Sequence, residues 1–102
     1  MNLEIKKDLS SNWFKTLQES ICYRINRLEK NNIKFKSTTW KRNQKIDEGG
    51  GEYRILQNGK IFEKVGVNFS KVYGKFPKQF QKKIPGADKD PRFWASGISV
   101  VM

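Results

Sequence analysis

The sequence contains no histidine and a single cysteine, Cys22. Without histidine there is no Ser-His-Asp or Cys-His arrangement for nucleophilic catalysis. One thiol cannot form an intrachain disulfide, and one cysteine without histidine excludes the usual structural zinc site. No N-terminal stretch has an apolar core long enough for a signal peptide or a membrane span, so a reducing, cytoplasmic setting is the expectation. The chain is also short of acid. Over 102 residues it carries 21 Lys and Arg against 10 Asp and Glu, a net charge of +11. Residues 1–51 hold +5 of this and residues 52–102 hold +6, so the charge is spread over the chain and forms no basic arm. Such a field favours anionic partners: nucleic acid, anionic lipid or a small polycarboxylate. It is equally the signature of a solubilising surface, because lysines outnumber arginines 16 to 5 and lysine is a solvated point charge.

What is present is enough for one small domain. Hydrophobic residues make up 36%, which is lean, but aromatics reach 13% and each buried ring removes a large area from water. A disordered chain would be poor in them. Residues 1–9 read as a polar lead-in. From Ser11 or Asn12 the period becomes helical: Trp13, Leu17, Ile21 and Ile25 recur every fourth residue, with Phe14 and Leu28 on the same stripe. Ser10, Ser11 or Asn12 is the expected N-cap and Asn31-Asn32 the expected stop. Cys22 falls near the stripe and reads as a small apolar residue.

The period then changes to two. Ile33 to Lys36 alternates, and Ser37 to Trp40 has strand composition. A charged stretch from Lys41 to Glu48 runs into Gly49-Gly50-Gly51, expected to be a loop. This is no phosphate loop, since Glu52-Tyr53-Arg54-Ile55 reads as strand where a helix would be needed. Asp47, Glu48 and Glu52 lie around the glycines, but their spacing matches no calcium loop, and they read as solvated. Asn58-Gly59 between strand-like runs predicts a two-residue hairpin joining 52–57 to a strand that starts at Lys60. On that second strand Ile61, Val65, Val67, Phe69 and Tyr73 share one face, interrupted by Glu63 and Lys71. The other face holds Lys64, Gly66, Asn68 and Ser70. Such a polar face is either solvated surface, the more ordinary case, or the floor of a site. Lys78 to Lys83 predicts one or two helical turns after Phe76-Pro77. Pro85-Gly86 and Asp90-Pro91 punctuate turns. Phe93 to Met102 reads as a strand with Gly97 inside it. This run reaches Met102 with neither turn nor polar tail, the pattern expected of sheet interior, so the sequence is expected to be a cut piece of a longer protein. Basic and aromatic residues interleave at Lys34-Phe35-Lys36, Trp40-Lys41-Arg42 and Lys75 to Lys83, which allows a small nucleic-acid-binding module as the alternative function. No RNA-recognition signature accompanies them.

Three blocks taken together resemble the oxygen-dependent coproporphyrinogen III oxidases. They are Trp40-Lys41-Arg42 leading into Gly49-Gly50-Gly51-Glu52, the run Phe62 to Gly74, and Phe93 to Val101. The run opening Phe62-Glu63-Lys64 and continuing Gly66-Val67-Asn68 is the most specific. The resemblance spans nearly the whole chain but only the N-terminal part of the family. It implies an α+β fold, an N-terminal amphipathic helix followed by antiparallel strands of a large sheet flanked by helices, with residues 1–102 forming a single incomplete domain. It implies oxidative decarboxylation of two propionates of coproporphyrinogen III to vinyl groups, giving protoporphyrinogen IX in haem biosynthesis. Dioxygen is the co-substrate, no organic cofactor is needed, and members are homodimers. A divalent metal is proposed for some members, and this chain offers no ligands for one. Ser99 matches the substrate-binding serine of the family's glycine-hydrophobic-serine strand, although by itself it reads as a small strand residue satisfied by its neighbours. The family's histidines and later arginines are expected beyond Met102, so no catalytic residue is assigned here and the chain is expected to be inactive alone. The approach to the glycines, Lys45 to Glu48, departs from the family in being acidic and glycine-poor, which leaves no role assigned to that loop.

Overall fold

The computed structural model describes residues 2–30 and 33–102. Helix α1 spans Leu3–Glu29 and is followed by strands β1 (Lys36–Lys41), β2 (Gly49–Gln57) and β3 (Lys64–Lys75), a short helix α2 (Lys78–Gln81) and strand β4 (Arg92–Val101). The strands form one antiparallel sheet in the order β1-β2-β3-β4, so each pairs with its neighbour in sequence. The helix lies across one face, packed on β3 and β4. This is the α+β arrangement expected.

The helix begins well before the predicted start, so residues 3–9 are helical and not a lead-in. Asn2, and none of Ser10, Ser11 or Asn12, is the N-cap: its Oδ1 accepts from Ile5 N at 2.9 Å. Leu3, Glu4, Lys6 and Lys7 are good helix formers, and one satisfied cap lets them propagate the helix without core contacts. At the other end Lys30 adopts a left-handed conformation (φ 54°) and its N–H reaches Asn26 O. The predicted stop at Asn31-Asn32 lies outside the described residues.

The buried stripe is also rotated from the expected one. It runs through Ser11, Gln18, Cys22, Ile25 and Glu29, while Trp13 (60% exposed) and Leu28 (54%) face away from the sheet. Gln18 and Glu29 hold the buried face because the sheet and the β2–β3 connection offer them partners, whereas the buried Ser11 hydroxyl has none among the described residues. Gln18 is fully buried and its Nε2 donates to the carbonyls of Glu52 (2.9 Å) and Val67 (3.1 Å). The Glu29 carboxylate accepts from the backbone N–H groups of Lys60, Ile61 and Phe62. Around these polar ties Cys22 and Ile25 pack with Leu56, Val65 and Val67, flanked by Ile21, Ile33, Phe35, Phe62 and Ile98. Cys22 is thus the small core residue expected.

Two further corrections concern the strands. Gly49-Gly50-Gly51 is not a loop; it opens β2, with all three glycines in register with β3 and Gly50 and Gly51 also in register with β1. Glycine is required there because backbones crowd in. A Cβ on Gly50 would sit 2.1 Å from Trp40 O, and one on Gly51 2.1 Å from Phe69 O, with the Trp40 ring over it. The β2–β3 connection does start at Asn58, which takes φ 61°. It is not a two-residue hairpin, however, because residues 58–63 loop out and Asn58 N donates to Glu63 O at 2.8 Å. Ile61 is therefore exposed and does not belong to the Val65 face. The Glu29 carboxylate holds this wider loop, a long-range tie that local turn chemistry does not encode.

Candidate functional site

Alternation along β3 divides the sheet into two chemically different faces. Val65 and Val67 point to the helix and are fully buried. Gly66, Asn68 and Ser70 point the other way, where no described element covers them. On this open face the register sets Tyr53 beside Asn68 and Trp40 beside Gly51. Across from β3, Ser99 pairs with Asn68 and Gly97 with Ser70. Trp40, Tyr53, Ile55, Lys64, Gly66, Asn68 and Ser70, with Val101 and Met102, line a concavity of about 650 Å³. A Cβ on Gly66 would meet nothing within 4 Å, and one on Gly97 only Ser70 Oγ at 4.0 Å. Here, unlike at Gly50 and Gly51, glycine is not demanded by packing; it keeps the floor flat.

Ser99 lies on this face and is exposed. Its Oγ accepts from Asn68 Nδ2 at 3.4 Å. The predicted ligand residue and the polar half of β3 are thus brought together. Reading β3 alone could not join them, because the pairing depends on the register of β3 with β4. The aromatic wall of Trp40 and Tyr53 likewise comes from strands whose order the sequence does not state.

The electrostatics of the two faces differ as sharply. Glu52 is the one carboxylate in the four strands, and it faces the helix. There it accepts from Arg54 Nε (3.0 Å), from Lys15 and from Ser37. The Arg54 hydrogen bond, with help from Lys15 and Ser37, holds the Glu52 carboxyl down at about 2. Burial pushes the Cys22 thiol up, only partly opposed by Arg54. The open face has no carboxylate from any strand, and Lys64 stands at its edge. An acceptor-only, anionic group meets donors there and no side-chain carboxylate of the strands.

The carboxylates near the triple glycine do not converge. Tyr73 Oη donates to Asp47 at 2.5 Å, Asn43 Nδ2 to Glu48 at 2.7 Å, and Glu52 belongs to the helix-side cluster. Among the described residues no group of three His, Cys, Asp or Glu could hold a metal ion. No helix among them is long and apolar enough to cross a membrane.

The family model for coproporphyrinogen III oxidase matches residues 10–102. A Rickettsia felis protein named oxygen-dependent coproporphyrinogen-III oxidase is 41% identical over 103 residues, covering 93% of this chain and 36% of the relative. Proteins of the same name from Rickettsia akari (41%, the same coverage) and Rickettsia africae (39% over 109 residues, 99% of this chain and 37% of the relative) are similar to it as well. The chain therefore spans little more than a third of the length of these relatives, in their N-terminal part. The match takes in β1 to β4 whole, together with both walls and the floor of the open face, and on this ground the chain belongs to the coproporphyrinogen III oxidase family.

Proposed function

We propose that this chain supplies one side of the substrate site of an oxygen-dependent coproporphyrinogen III oxidase. The observation that carries the reading is the open sheet face: flat at Gly66 and Gly97, walled by Trp40 and Tyr53, free of strand carboxylates, with the Ser99 hydroxyl and the Asn68 amide on it. A tetrapyrrole is broad, largely apolar and edged by four carboxylates, and each of these properties has its complement here. Rings stack on the aromatic wall, and carboxylates take hydrogen bonds from Ser99 and charge from Lys64. Charge-assisted hydrogen bonds of this kind contribute about 1.5–3 kcal/mol each.

In the whole protein the reaction is oxidative decarboxylation of two propionates to vinyl groups, yielding protoporphyrinogen IX and CO2. The reduced tetrapyrrole provides the electrons and dioxygen takes them up. The part played by this chain is to orient the macrocycle and hold its carboxylates. The proton-transfer groups and the remaining carboxylate clamps belong to the rest of the protein, and no residue here is assigned to them. A cytoplasmic homodimer without an organic cofactor is the corresponding assembly.

The test is titration of the 102-residue chain with coproporphyrin III, the stable oxidised analogue, following quenching of tryptophan emission. The free acid is expected to bind and its tetramethyl ester is not. Equal binding of both would remove the carboxylate reading. Incubation with coproporphyrinogen III under air is expected to give no turnover above buffer, and protoporphyrinogen formation by this chain alone would show that the missing groups are not needed.

A further inference from the structure

We propose that Asn68 is a positioning residue that fixes the polarity of the Ser99 hydroxyl, so that Ser99 acts as a hydrogen-bond donor to an anionic group on the open face. The inference rests on the reading of that face as the carboxylate-binding side of the site. It goes beyond it in assigning a role to a residue that need not touch the ligand.

A serine hydroxyl can donate one hydrogen bond and accept two, and its proton rotates to suit its neighbours. Left to itself on a strand, it satisfies whichever acceptor is nearest. Here Asn68 stands directly opposite in the β3–β4 register and its Nδ2 donates to Ser99 Oγ. One lone pair of the oxygen is then occupied by a donor, and the hydroxyl proton is directed away from Asn68. The space beside it is open on the side of Gly66 and Gly97, and Ser99 itself is exposed. A carboxylate accepts and never donates, so a serine held in this polarity recognises it, whereas a serine donating to Asn68 would not. The 3.4 Å separation is long for a strong bond, and hydrogen bonds at a ligand site commonly tighten only when the ligand closes on them. The second Nδ2 proton of Asn68 also remains on the donor side of the pair. The arrangement is therefore a two-residue unit in which the Ser99 hydroxyl accepts from Asn68 and keeps its own proton for an acceptor on the open face.

The test is a double-mutant cycle on the 102-residue chain, read as affinity for coproporphyrin III by tryptophan quenching, with circular dichroism and thermal melts confirming the fold of each variant. Ser99→Ala is expected to weaken binding about tenfold, the loss of one hydrogen bond to a charged group. Asn68→Ala is expected to weaken it by a similar factor, and the double variant to bind no worse than either single one, because the two act as a unit. Asn68→Asp preserves the shape and draws the hydroxyl proton to the new carboxylate, but it also repels the ligand, so it is made both in the natural chain and in Ser99→Ala. Its loss is expected to be larger with Ser99 present than in the Ser99→Ala background, where only the repulsion remains, and it keeps the test alive should the alanine variant lose its fold; equal losses in the two backgrounds overturn the positioning role. Weakening by Ser99→Ala with no effect of Asn68→Ala or Asn68→Asp overturns the positioning role and leaves the reading of the face standing. Losses that multiply in the double variant overturn it too, since they make Asn68 an independent contact. Failure of the parent chain to bind the free acid overturns the reading of the face itself.

Discussion

At the residue scale the two polar clusters of the sheet do opposite work. On the helix face Glu52 is enclosed by Arg54, Lys15 and Ser37 and exists to be satisfied. On the open face Asn68 and Ser99 keep protons to spare. The first cluster has a measurable acid signature. The Glu52 carboxyl is ordinarily near 4.5 and is held at about 2 in the folded chain. A depressed carboxyl means that the unfolded chain binds more protons in this interval, so the contribution is complete above about pH 4.5 and disappears as pH falls through about 2. Glu52→Gln lacks it. The difference in melting temperature between the natural chain and Glu52→Gln is therefore expected to shrink from pH 4.5 down to pH 2. Asp47 and Asp90, also depressed, remain in both proteins and cancel in the comparison. A difference that stays constant over that range would show that Glu52 gains nothing from its partners.

Glycines show the same division at the scale of elements. Gly50 and Gly51 are in β2 because neighbouring backbone and the Trp40 ring leave no room for a side chain, whereas Gly66 in β3 faces empty space. Gly51→Ala is expected to destabilise the chain by about 3 kcal/mol or more, as overpacking against an immovable carbonyl does. Gly66→Ala is expected to leave stability within about 1 kcal/mol, since alanine fits an extended strand, yet to weaken coproporphyrin III binding by raising the floor. Urea titration of both variants checks the first pair of expectations and porphyrin titration the last; a destabilised Gly66→Ala would mean that this glycine, too, serves the fold. The sequence made some of this legible. Strand composition located β1 at Ser37 to Trp40 and β4 at Phe93 to Met102, whereas the alternation at Ile33 to Lys36 falls almost wholly before β1; alternation did locate the polar half of β3, and the blocks from Phe62 to Gly74 and Phe93 to Val101 carried the family. What it could not show depends on contacts made at a distance. Nothing local marks Gly49 to Gly51 as strand, because the cause is the approach of Trp40 and Phe69 from two other strands. The wide loop after Asn58 depends on Glu29, some thirty residues away. The rotated helix stripe depends on Gln18 finding two carbonyls in the sheet. The start of the helix was misplaced for a different reason: residues 3–9 make few core contacts, so their helicity comes from propensity and the Asn2 cap and leaves no hydrophobic period.

At the scale of the whole molecule, charge and topology matter more than any one contact. A net charge of +11 over 102 residues places the open face in a positive field, which raises the local concentration of a tetracarboxylate. Affinity for coproporphyrin III is expected to fall several-fold between 50 mM and 500 mM salt, since screening shortens the reach of surface charges from about 14 Å to about 4 Å. An affinity indifferent to salt would assign binding to stacking on Trp40 and Tyr53 alone. Topology has a consequence of another kind. The strands pair in the order in which they are synthesised, so the sheet can grow by adding each new strand to the one just made. Short-range pairings of this sort close small loops and form early. Helix α1 is the exception. It is made first, and its partners in the sheet are made after it, so during synthesis it must wait, already helical at its capped end, with its docking surface bare. The buried Gln18 and Glu29 suit that delay. A stripe of serine, glutamine, cysteine, isoleucine and glutamate is less adhesive than one of leucine while it waits, and it becomes specific only when the carbonyls of β2 and β3 and the amides of their connecting loop arrive to meet it.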